Sequence, residues 1–237
     1  MKQLRLKAAQ FEYDVIRKEE ILGEELFFIE RLADLDRTID LLFDRVKSEE
    51  NPTLLEDLCP YFGVVWASAR GLCDWLGENK TVHWKMQHVL EVGCGLALPS
   101  LLLRRKGART TAMDFHPDVR FFLNRNLELN SLSDLAFNES DWTQAQAAGG
   151  VEEGAFDWVI GSDVLYEKQH PSRLAPALVR WVRPGGRIVI ADPGRPYLQA
   201  FVDEMKRLGF EAKTSIRTAN DRPANKEIFI LEFQSKD

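Results

Sequence analysis

Residues 88 to 100 read His-Val-Leu-Glu-Val-Gly-Cys-Gly-Leu-Ala-Leu-Pro-Ser, and the rest of the chain can be interpreted around them. The apolar residues up to Val92 are followed at once by Gly93 and Gly95, which is typical of a buried parallel strand that enters a tight turn. Pro99 has no N–H to lose, so it suits the first turn of a helix. In such a unit the backbone N–H groups face a ligand without interference from Cβ atoms, and a ligand-binding strand, turn and helix are therefore predicted.

The acid and the glycine spacing narrow the class of ligand. A dinucleotide fingerprint has the form Gly-x-Gly-x-x-Gly, whereas Leu98 stands at the position of the third glycine. Glu91 lies two residues before the first glycine, where a carboxylate would repel a pyrophosphate and could hold an amino group. The pattern Glu-x-Gly-x-Gly resembles motif I of the class I S-adenosylmethionine-dependent methyltransferases, in which this acid would hold the methionine moiety. An ordinary strand-to-helix turn with a surface glutamate remains the alternative for the isolated motif.

A second acid follows at the distance expected of a nucleoside site. Residues 109–115 predict the next strand, and Asp114 near its end lies nineteen residues after Gly95. In doubly wound folds an acid about 20 residues beyond the glycines binds ribose hydroxyls. We therefore expect Asp114 to bind a ribose.

Two further strand ends carry polar and aromatic residues. Residues 135–140 predict a weaker strand followed by Asp141 and Trp142, which either bond and flank an adenine or form a helix cap with a packed indole. The strand at residues 156–161 leads into Asp163 and Tyr166. Ligands of open parallel sheets bind where the strand order reverses, and here that point lies between the first and the fourth strand. Asp163 and Tyr166 are therefore expected to flank the reacting group.

A helix is predicted over residues 61–77, before the first strand of this unit. Trp66 shares its apolar face, and spacing alone supports two interpretations equally. Trp66 either packs in the core or covers a bound adenosine or its sulfonium, for which an aromatic face has affinity.

The order of elements predicts the fold class. It is a Rossmann-like α/β fold with a seven-stranded sheet, helices on both faces and an antiparallel last strand, because only about ten residues join the final two strands. Residues 1–58 predict an N-terminal extension that packs on the core of residues 59–237. Within it, the apolar residues near 26–29 and 39–43 favour a β-hairpin around the polar residues 34–37, with a helix as the alternative.

Composition excludes several classes. A formal charge of −6 and a pI near 5.4 argue against a general nucleic-acid partner. The three cysteines and four histidines lack metal-ligand spacing, so no metal site is predicted. The N-terminus lacks an apolar signal core and no run of about 20 apolar residues occurs, so no membrane association and a cytoplasmic location are expected. The oligomeric state is not indicated.

Three further segments resemble the seven-β-strand protein lysine methyltransferases called methyltransferase family 16. They are Val-Val-Trp at residues 64–66, Asp-Trp at 141–142 and Ser-Asp-Val-Leu-Tyr-Glu at 162–167. The acidic N-terminal hairpin, which ends in Leu-Glu-Asp-Leu-Cys-Pro-Tyr at 55–61, is similar too, so the resemblance covers nearly the whole chain. It implies S-adenosyl-L-methionine as the cofactor and S-adenosyl-L-homocysteine as the product. The cofactor contacts that it implies are Trp66, Gly93, Cys94, Gly95, Asp114, Trp142 and Ser162, with Glu91 nearby.

The same resemblance places Asp163 and Tyr166, as an Asp-x-x-Tyr pattern, beside the methyl acceptor. It implies methyl transfer to a lysine of a protein substrate, with histidine as a lesser possibility. Leu96, Ala97 and Leu98 depart from the more glycine-rich sequence of the family, which leaves that side of the methionine pocket undefined. The Asn-Pro-Pro-Tyr motif of base and glutamine methylases is absent.

Three other functions stay open. A small-molecule N- or O-methyltransferase would need a closed apolar acceptor pocket, whereas a protein-modifying enzyme would need an open groove at Asp163 and Tyr166. A non-catalytic protein that only binds the cofactor is less favoured, because Glu91, Asp114 and Asp163 are all present. An oxidoreductase that uses a nicotinamide cofactor is the most remote alternative.

Overall fold

The structure is a computed structural model that describes residues 4–7, 11–49, 58–133, 135–142, 151–219 and 226–235. In chain order its elements are β1 (Leu4–Lys7), β2 (Glu12–Leu22), β3 (Glu25–Leu32), α1 (Leu35–Glu49), α2 (Ala67–Glu78), β4 (His88–Val92), α3 (Leu98–Arg105), β5 (Arg109–Asp114), α4 (Val119–Leu129), β6 (Ala136–Glu139), β7 (Phe156–Ser162), α5 (His170–Trp181), β8 (Val182–Asp192), α6 (Leu198–Arg207), β9 (Phe210–Ala219) and β10 (Lys226–Ser235). Short 3₁₀ helices span Tyr61–Gly63 and Trp84–Met86.

The larger sheet has seven strands in the order β6-β5-β4-β7-β8-β10-β9. The strands from β6 to β8 in this order are parallel to their neighbours, whereas β10 is antiparallel to both β8 and β9. The predicted seven-stranded α/β fold with an antiparallel last strand is confirmed. Because the order reverses between β4 and β7, the carboxyl ends of these strands border a crevice, as open parallel sheets require.

Two apolar layers cover the two faces of this sheet. Along β4 the buried residues alternate, so Val89 packs with α2, α3 and α4 while Leu90 and Val92 pack with α5 and α6. The alternation places Glu91 on the face that carries α2 and α3. The helices predicted on both faces are therefore present.

The N-terminal hairpin is confirmed, but its position was only partly predicted. Strands β2 and β3 pair across a turn at Gly23 and Glu24, whereas residues 39–43 lie in α1 instead of in a strand. Asp34 Oδ1 accepts a hydrogen bond from Arg37 N at 3.0 Å, so the polar residues expected to form the hairpin turn cap a helix. The division at residue 58 stays a prediction, and residues 50–57 lie outside the described residues.

The hairpin turn packs on α2 through two glycines. A Cβ atom added at Gly77 would lie 2.5 Å from Gly23 Cα, and one added at Gly23 would lie 2.8 Å from Cys73 O. Neither position accepts a side chain without displacing backbone. The two glycines therefore allow the hairpin to lie directly against α2.

Side chains of α4 bind the outer edge of β3. Asn126 Oδ1 accepts from Glu30 N at 2.7 Å, and Asn130 bonds both Phe28 N and Phe28 O at 2.9 and 2.8 Å. The fully buried Glu30 carboxylate pairs with the guanidinium of Arg125, which lies on the same helix. These contacts occupy strand groups that would otherwise be an open edge. No helix in the described part of the chain is long and apolar enough to cross a membrane.

Candidate active site

Three left-handed residues at alternate positions shape the loop between β4 and α3. The φ angles are 58° at Gly93, 51° at Gly95 and 57° at Ala97, and Cys94 N donates to Met113 O at 2.9 Å. Glycine adopts this conformation without steric cost, whereas Ala97 carries the strain of a Cβ atom. The loop is thus a tight turn attached to β5, as the glycine spacing predicted.

Both glycines are also enclosed by neighbouring segments. A Cβ atom at Gly93 would lie 2.8 Å from Val164 Cγ1 in the loop after β7, and one at Gly95 would lie 3.1 Å from Phe62 O. The loop after β7 and the 3₁₀ turn at Tyr61–Gly63 therefore form two walls around the glycine loop.

The Glu91 carboxyl is buried and caps α3. Glu91 is 1% exposed, and its Oε2 accepts a hydrogen bond from Ser100 N at 2.8 Å. Burial raises the pKa of Glu91 to about 8, against the lowering effect of the Ser100 hydrogen bonds. In the structure Glu91 thus binds the first turn of α3 through Ser100 N. Its predicted contact with a methionine amino group stays a prediction.

Asp114 links the end of β5 to the glycine loop. Its Oδ2 accepts from Gly95 N at 2.9 Å and its Oδ1 accepts from His116 N at 3.1 Å. Burial raises the pKa of this carboxyl, while the backbone N–H donors lower it. A carboxylate has about four acceptor positions, so capacity remains for the hydroxyl groups of a ribose.

An aromatic stack lines the other side of the crevice. The buried Trp142 and the half-exposed Tyr166 contact His170 edge to face, with ring centroids 4.7 and 4.4 Å apart. Trp142 Nε1 would lie 3.7 Å from a Cβ atom at Gly93, so the indole also borders the glycine loop. Burial raises the pKa of Tyr166 to about 12, which keeps its hydroxyl neutral near pH 7.

An ion-paired cluster occupies the carboxyl ends of β7 and β8. Arg195 Nη1 lies 2.6 Å from Asp163 Oδ1 and 3.0 Å from Asp192 Oδ2. Asp163 follows Ser162, the last residue of β7, and has a φ of 59°. Burial raises the pKa of Asp163, although Arg195 opposes this effect. Arg195 was not among the residues that the sequence predicted for the site.

Ser68 and Asp163 bring α2 to the same cluster. Asp163 Oδ2 and Ser68 Oγ are buried, and neither has a partner within hydrogen-bond geometry among the described residues. The Ser68 hydroxyl is nevertheless close enough to lower the pKa of Asp163. Ser68 lies in the first turn of α2, so the positive end of the helix dipole faces the carboxylate. Ser68 gave no recognisable sequence signal.

Two remaining predicted residues differ in exposure. Trp66 immediately precedes α2, which starts later than expected, and its side chain is exposed while Nε1 donates to Tyr61 O at 3.0 Å. The interpretation of Trp66 as a core residue is therefore wrong, and its predicted role over the cofactor stays a prediction. Cys94 is buried, and burial raises the pKa of its thiol. The described residues contain no group of three or more His, Cys, Asp or Glu that could hold a metal ion.

Parts of this chain are similar in sequence to known methyltransferases. Residues 90–190 match the family model of a methyltransferase domain. The Protein N-terminal and lysine N-methyltransferase EFM7 of Yarrowia lipolytica is 24% identical over 163 residues, which cover 59% of this chain and 60% of that protein. The Ubiquinone biosynthesis O-methyltransferase of Xanthomonas oryzae pv. oryzae is 28% identical over 107 residues, 45% of this chain and 43% of that protein. The chain thus matches about half of the length of these relatives.

Solved structures share the fold. A methyltransferase from Pyrococcus furiosus superposes with a TM-score of 0.53 at 20% identity, covering 66% of this chain and 79% of that one. A ribosomal protein L11 methylase from Lactobacillus delbrueckii subsp. bulgaricus gives a TM-score of 0.51 at 16% identity, covering 63% and 70%. The shared fold and the matched domain imply S-adenosylmethionine as the cofactor.

The residues present fit this cofactor. A Cβ atom at Gly93 or Gly95 would close the cradle between the two walls of the loop, and Asp114 keeps free acceptor positions beside it. Cys94, Trp142 and Ser162 lie on or beside the same strand ends. The glycine loop and Asp114 therefore have room and acceptor capacity for the cofactor, and the contacts predicted for them stay predictions.

Proposed function

We propose that this class I S-adenosylmethionine-dependent methyltransferase transfers a methyl group to a lysine side chain of a protein substrate. The observation that carries the proposal is the Asp163 carboxylate. It lies at the carboxyl end of β7, its Oδ2 is buried without a hydrogen-bond partner among the described residues, and the half-exposed Tyr166 follows three residues later. A carboxylate and a half-exposed aromatic ring in the same loop after β7 suit the amine of a long, flexible side chain.

The residues at this edge have separable tasks. Asp163 Oδ2 would accept a hydrogen bond from the acceptor amine and orient its lone pair toward the methyl group. The Tyr166 ring would form a wall for the lysine stem and, because its hydroxyl stays neutral, would add no charge. When bound, S-adenosylmethionine supplies a methyl group on a sulfonium, which the amine nitrogen displaces. Alignment of reacting atoms in this way contributes up to about 7 to 11 kcal/mol.

The acceptor must reach the site as a neutral amine. A lysine has a pKa of about 10.4, so removing its proton near pH 7 costs on the order of 4 kcal/mol. A nearby carboxylate stabilises the ammonium form and therefore increases this cost. We assign Asp163 to capture and orientation of the amine, with the proton leaving to water.

The names of the relatives support a protein substrate without identifying it. The matched proteins from Yarrowia lipolytica and Aspergillus fumigatus are both named Protein N-terminal and lysine N-methyltransferase, and the second is 24% identical over 69% of this chain. Several large aromatic residues are exposed, among them Tyr61, Trp66, Phe115 and Tyr166. Of these, Tyr166 would lie at the acceptor side. Exposed aromatic side chains are typical of surfaces that bind polypeptides.

The test uses the purified chain, methyl-labelled S-adenosylmethionine and a lysate from a strain that lacks this protein. Asp163→Asn keeps the size of the side chain and removes its charge, and Asp203→Asn on the exposed face of α6 is the matched control. We expect one or a few labelled protein bands, a loss of at least tenfold in Asp163→Asn, and no change in the control. Mass spectrometry should then find methylated lysine. Full activity in Asp163→Asn would contradict the role given to this carboxylate.

A small-molecule acceptor is the second candidate. It is favoured by one observation, the 28% identity over 107 residues with a Ubiquinone biosynthesis O-methyltransferase. Under this alternative the label would appear only in the small-molecule fraction of the same lysate. Binding of the cofactor with no transferred label in either fraction would instead favour a non-catalytic protein.

A further inference from the structure

Arg195 holds two carboxylates from different strands. Its Nη1 lies between Asp163 Oδ1, at 2.6 Å, and Asp192 Oδ2, at 3.0 Å. Asp192 is completely buried, and its Oδ1 also accepts from Gly194 N and Arg195 N at 2.8 and 2.7 Å. The loop after β8 is therefore folded around Asp192 in a way that directs the guanidinium toward Asp163.

The two carboxylates are satisfied to different degrees. Asp192 has backbone and guanidinium donors on both oxygens, whereas Asp163 has the guanidinium on Oδ1 only. The buried Oδ2 of Asp163 faces the first turn of α2 at Ser68, whose hydroxyl also lacks a partner in the described part of the chain. The Ser68 hydroxyl can donate to this oxygen, and a substrate amine at Asp163 would share or replace that hydrogen bond.

Charge decides the form in which that amine binds. The cluster holds two carboxylates and one guanidinium, so its net charge is about −1, and without Arg195 it would be about −2. A more negative site stabilises an ammonium ion, which has no lone pair for methyl transfer. Arg195 removes one unit of this stabilisation at the carboxylate that contacts the amine.

We propose that Arg195 is a positioning residue that keeps the acceptor amine in its neutral, nucleophilic form by holding Asp163 in an ion pair. The inference rests on the proposed function, because it requires an amine acceptor. The proton of the ammonium passes to solvent water before transfer. The nitrogen then forms a bond to the methyl carbon while the bond between that carbon and sulfur breaks, and the methylated amine is released with S-adenosylhomocysteine.

Other titratable groups also face this side of the crevice. Their charges act on Asp163, on Tyr166 or on His170, which packs on the Tyr166 ring. Together with these three residues, the groups are Asp114, Asp141, Glu167, Arg173, Asp192 and Arg195. Arg195 is a cation whose charge acts on both Asp163 and Tyr166. Its removal should therefore shift the pH profile of methyl transfer toward higher pH.

The experiment measures methyl transfer at subsaturating substrate between pH 6 and pH 10, with the labelled protein substrate isolated from the lysate as probe. Arg195→Gln should move the rising limb of the profile upward by about one pH unit, with a rate roughly tenfold lower at pH 7 and a smaller deficit at pH 10. Arg195→Lys keeps the charge and should restore most of the wild-type profile. Lys206→Gln, an exposed cation on α6, is the matched control and should leave the profile unchanged.

A double variant separates charge from folding. Asp163→Asn in the Arg195→Gln background removes the unpaired carboxylate and should move the rising limb back toward lower pH, although the maximal rate stays low. Binding of S-adenosylhomocysteine, measured by calorimetry, should be unchanged in each variant.

Two results would overturn the inference, and they differ in their consequence for the proposed function. A loss in Arg195→Gln that is equal at every pH and is not restored by Arg195→Lys would indicate a purely structural role, while labelled lysine would still support the proposed function. Label found only on oxygen would overturn both, since no amine would then require a neutral form.

Discussion

Two pairs of carboxylates lie at the same edge of the larger sheet, and they are held in different ways. Glu91 and Asp114, beside the glycine loop, accept hydrogen bonds from backbone N–H groups, and no Lys or Arg of the described residues is ion-paired with either. Asp163 and Asp192, at the ends of β7 and β8, share the guanidinium of Arg195. The first pair thus has no paired cation among the described residues, whereas the second is partly balanced by Arg195.

This difference is consistent with the proposed function. A cofactor with an ammonium and a sulfonium group can compensate buried acids, which suits the glycine-loop side. If the acceptor is an amine that must bind in its neutral form, the internal cation Arg195 suits the Asp163 side. Four changes, given from the largest expected effect to the smallest, break or sharpen this contrast.

Gly93→Ala should remove cofactor binding. The new Cβ atom would meet Val164 Cγ1 at 2.8 Å and would also carry the cost of a left-handed φ, about 1 to 2 kcal/mol. Gly209→Ala is the control, because Gly209 also has a positive φ of 87° but has nothing within 4 Å of such a Cβ atom. We expect both variants to lose stability in urea, Gly93→Ala more because of the added contact, but a loss of S-adenosylhomocysteine affinity of 100-fold or more only in Gly93→Ala. Equal affinities would contradict the assignment of the loop.

Asp114→Asn should reduce the affinity for the cofactor roughly 10- to 100-fold, since hydrogen bonds to a charged group contribute about 1.5 to 3 kcal/mol. The exposed Glu139, at the end of the neighbouring strand β6, supplies the control Glu139→Gln. Calorimetric titration with S-adenosylhomocysteine measures both variants. If both substitutions reduced affinity equally, general charge at this edge and not the Asp114 contact would be responsible.

Glu91 should make stability depend on pH in an identifiable direction. Its pKa of about 8 in the folded chain exceeds the ordinary value of 4.5, so between these values the folded state binds more protons than the unfolded state. Stability is therefore greatest at the acidic end and falls as the pH rises through about 8, by up to roughly 1.4 kcal/mol per pH unit. The raised pKa of Asp114 acts in the same direction.

Glu91→Gln should flatten this dependence, because the amide does not titrate. Urea unfolding at pH 6, 7 and 8 measures the effect, and Glu19→Gln on the exposed side of β2 is the control. Parallel curves for wild type and Glu91→Gln would show that Glu91 is ionised throughout this range. The cofactor side would then carry two carboxylate charges without a paired cation among the described residues, and its contrast with the Asp163 side would be larger.

Of the four changes, Tyr13→Phe should have the smallest effect on the cofactor side of the crevice. The Tyr13 hydroxyl of β2 donates to Asp118 Oδ2 at 2.9 Å, Asp118 N donates to His116 Nδ1 at 3.1 Å, and His116 N reaches Asp114. Loss of this buried hydrogen bond should cost about 1 to 3 kcal/mol of stability and weaken cofactor affinity only a few-fold. Tyr197→Phe, before α6, is the control. A change in the pH profile of methyl transfer would argue against a link to the cofactor side alone.

The sequence predicted the large sheet well and the N-terminal extension less well. Apolar residues at 39, 41 and 43 suggested a strand, but α1 buries Leu42 between the exposed Leu41 and Phe43. A short alternating pattern fits either element, and Asp34 serves equally as a turn residue or a helix cap. The pairing of β3 with β2 depends on contacts between strands, which the spacing of apolar residues does not predict.

What the sequence by itself determined was the strand, glycine turn and helix at residues 88–105, together with the acid at Asp114. Each depends on local backbone requirements or on a fixed spacing along one βα unit, and both can be recognised from the sequence alone. Only the tertiary structure decided the charge balance of the acceptor side. Asp163, Arg195 and Ser68 come from three separate elements, and their contact exists because β8 lies beside β7 while α2 begins above both. Electrostatic effects depend on distance and burial, which residue order does not specify.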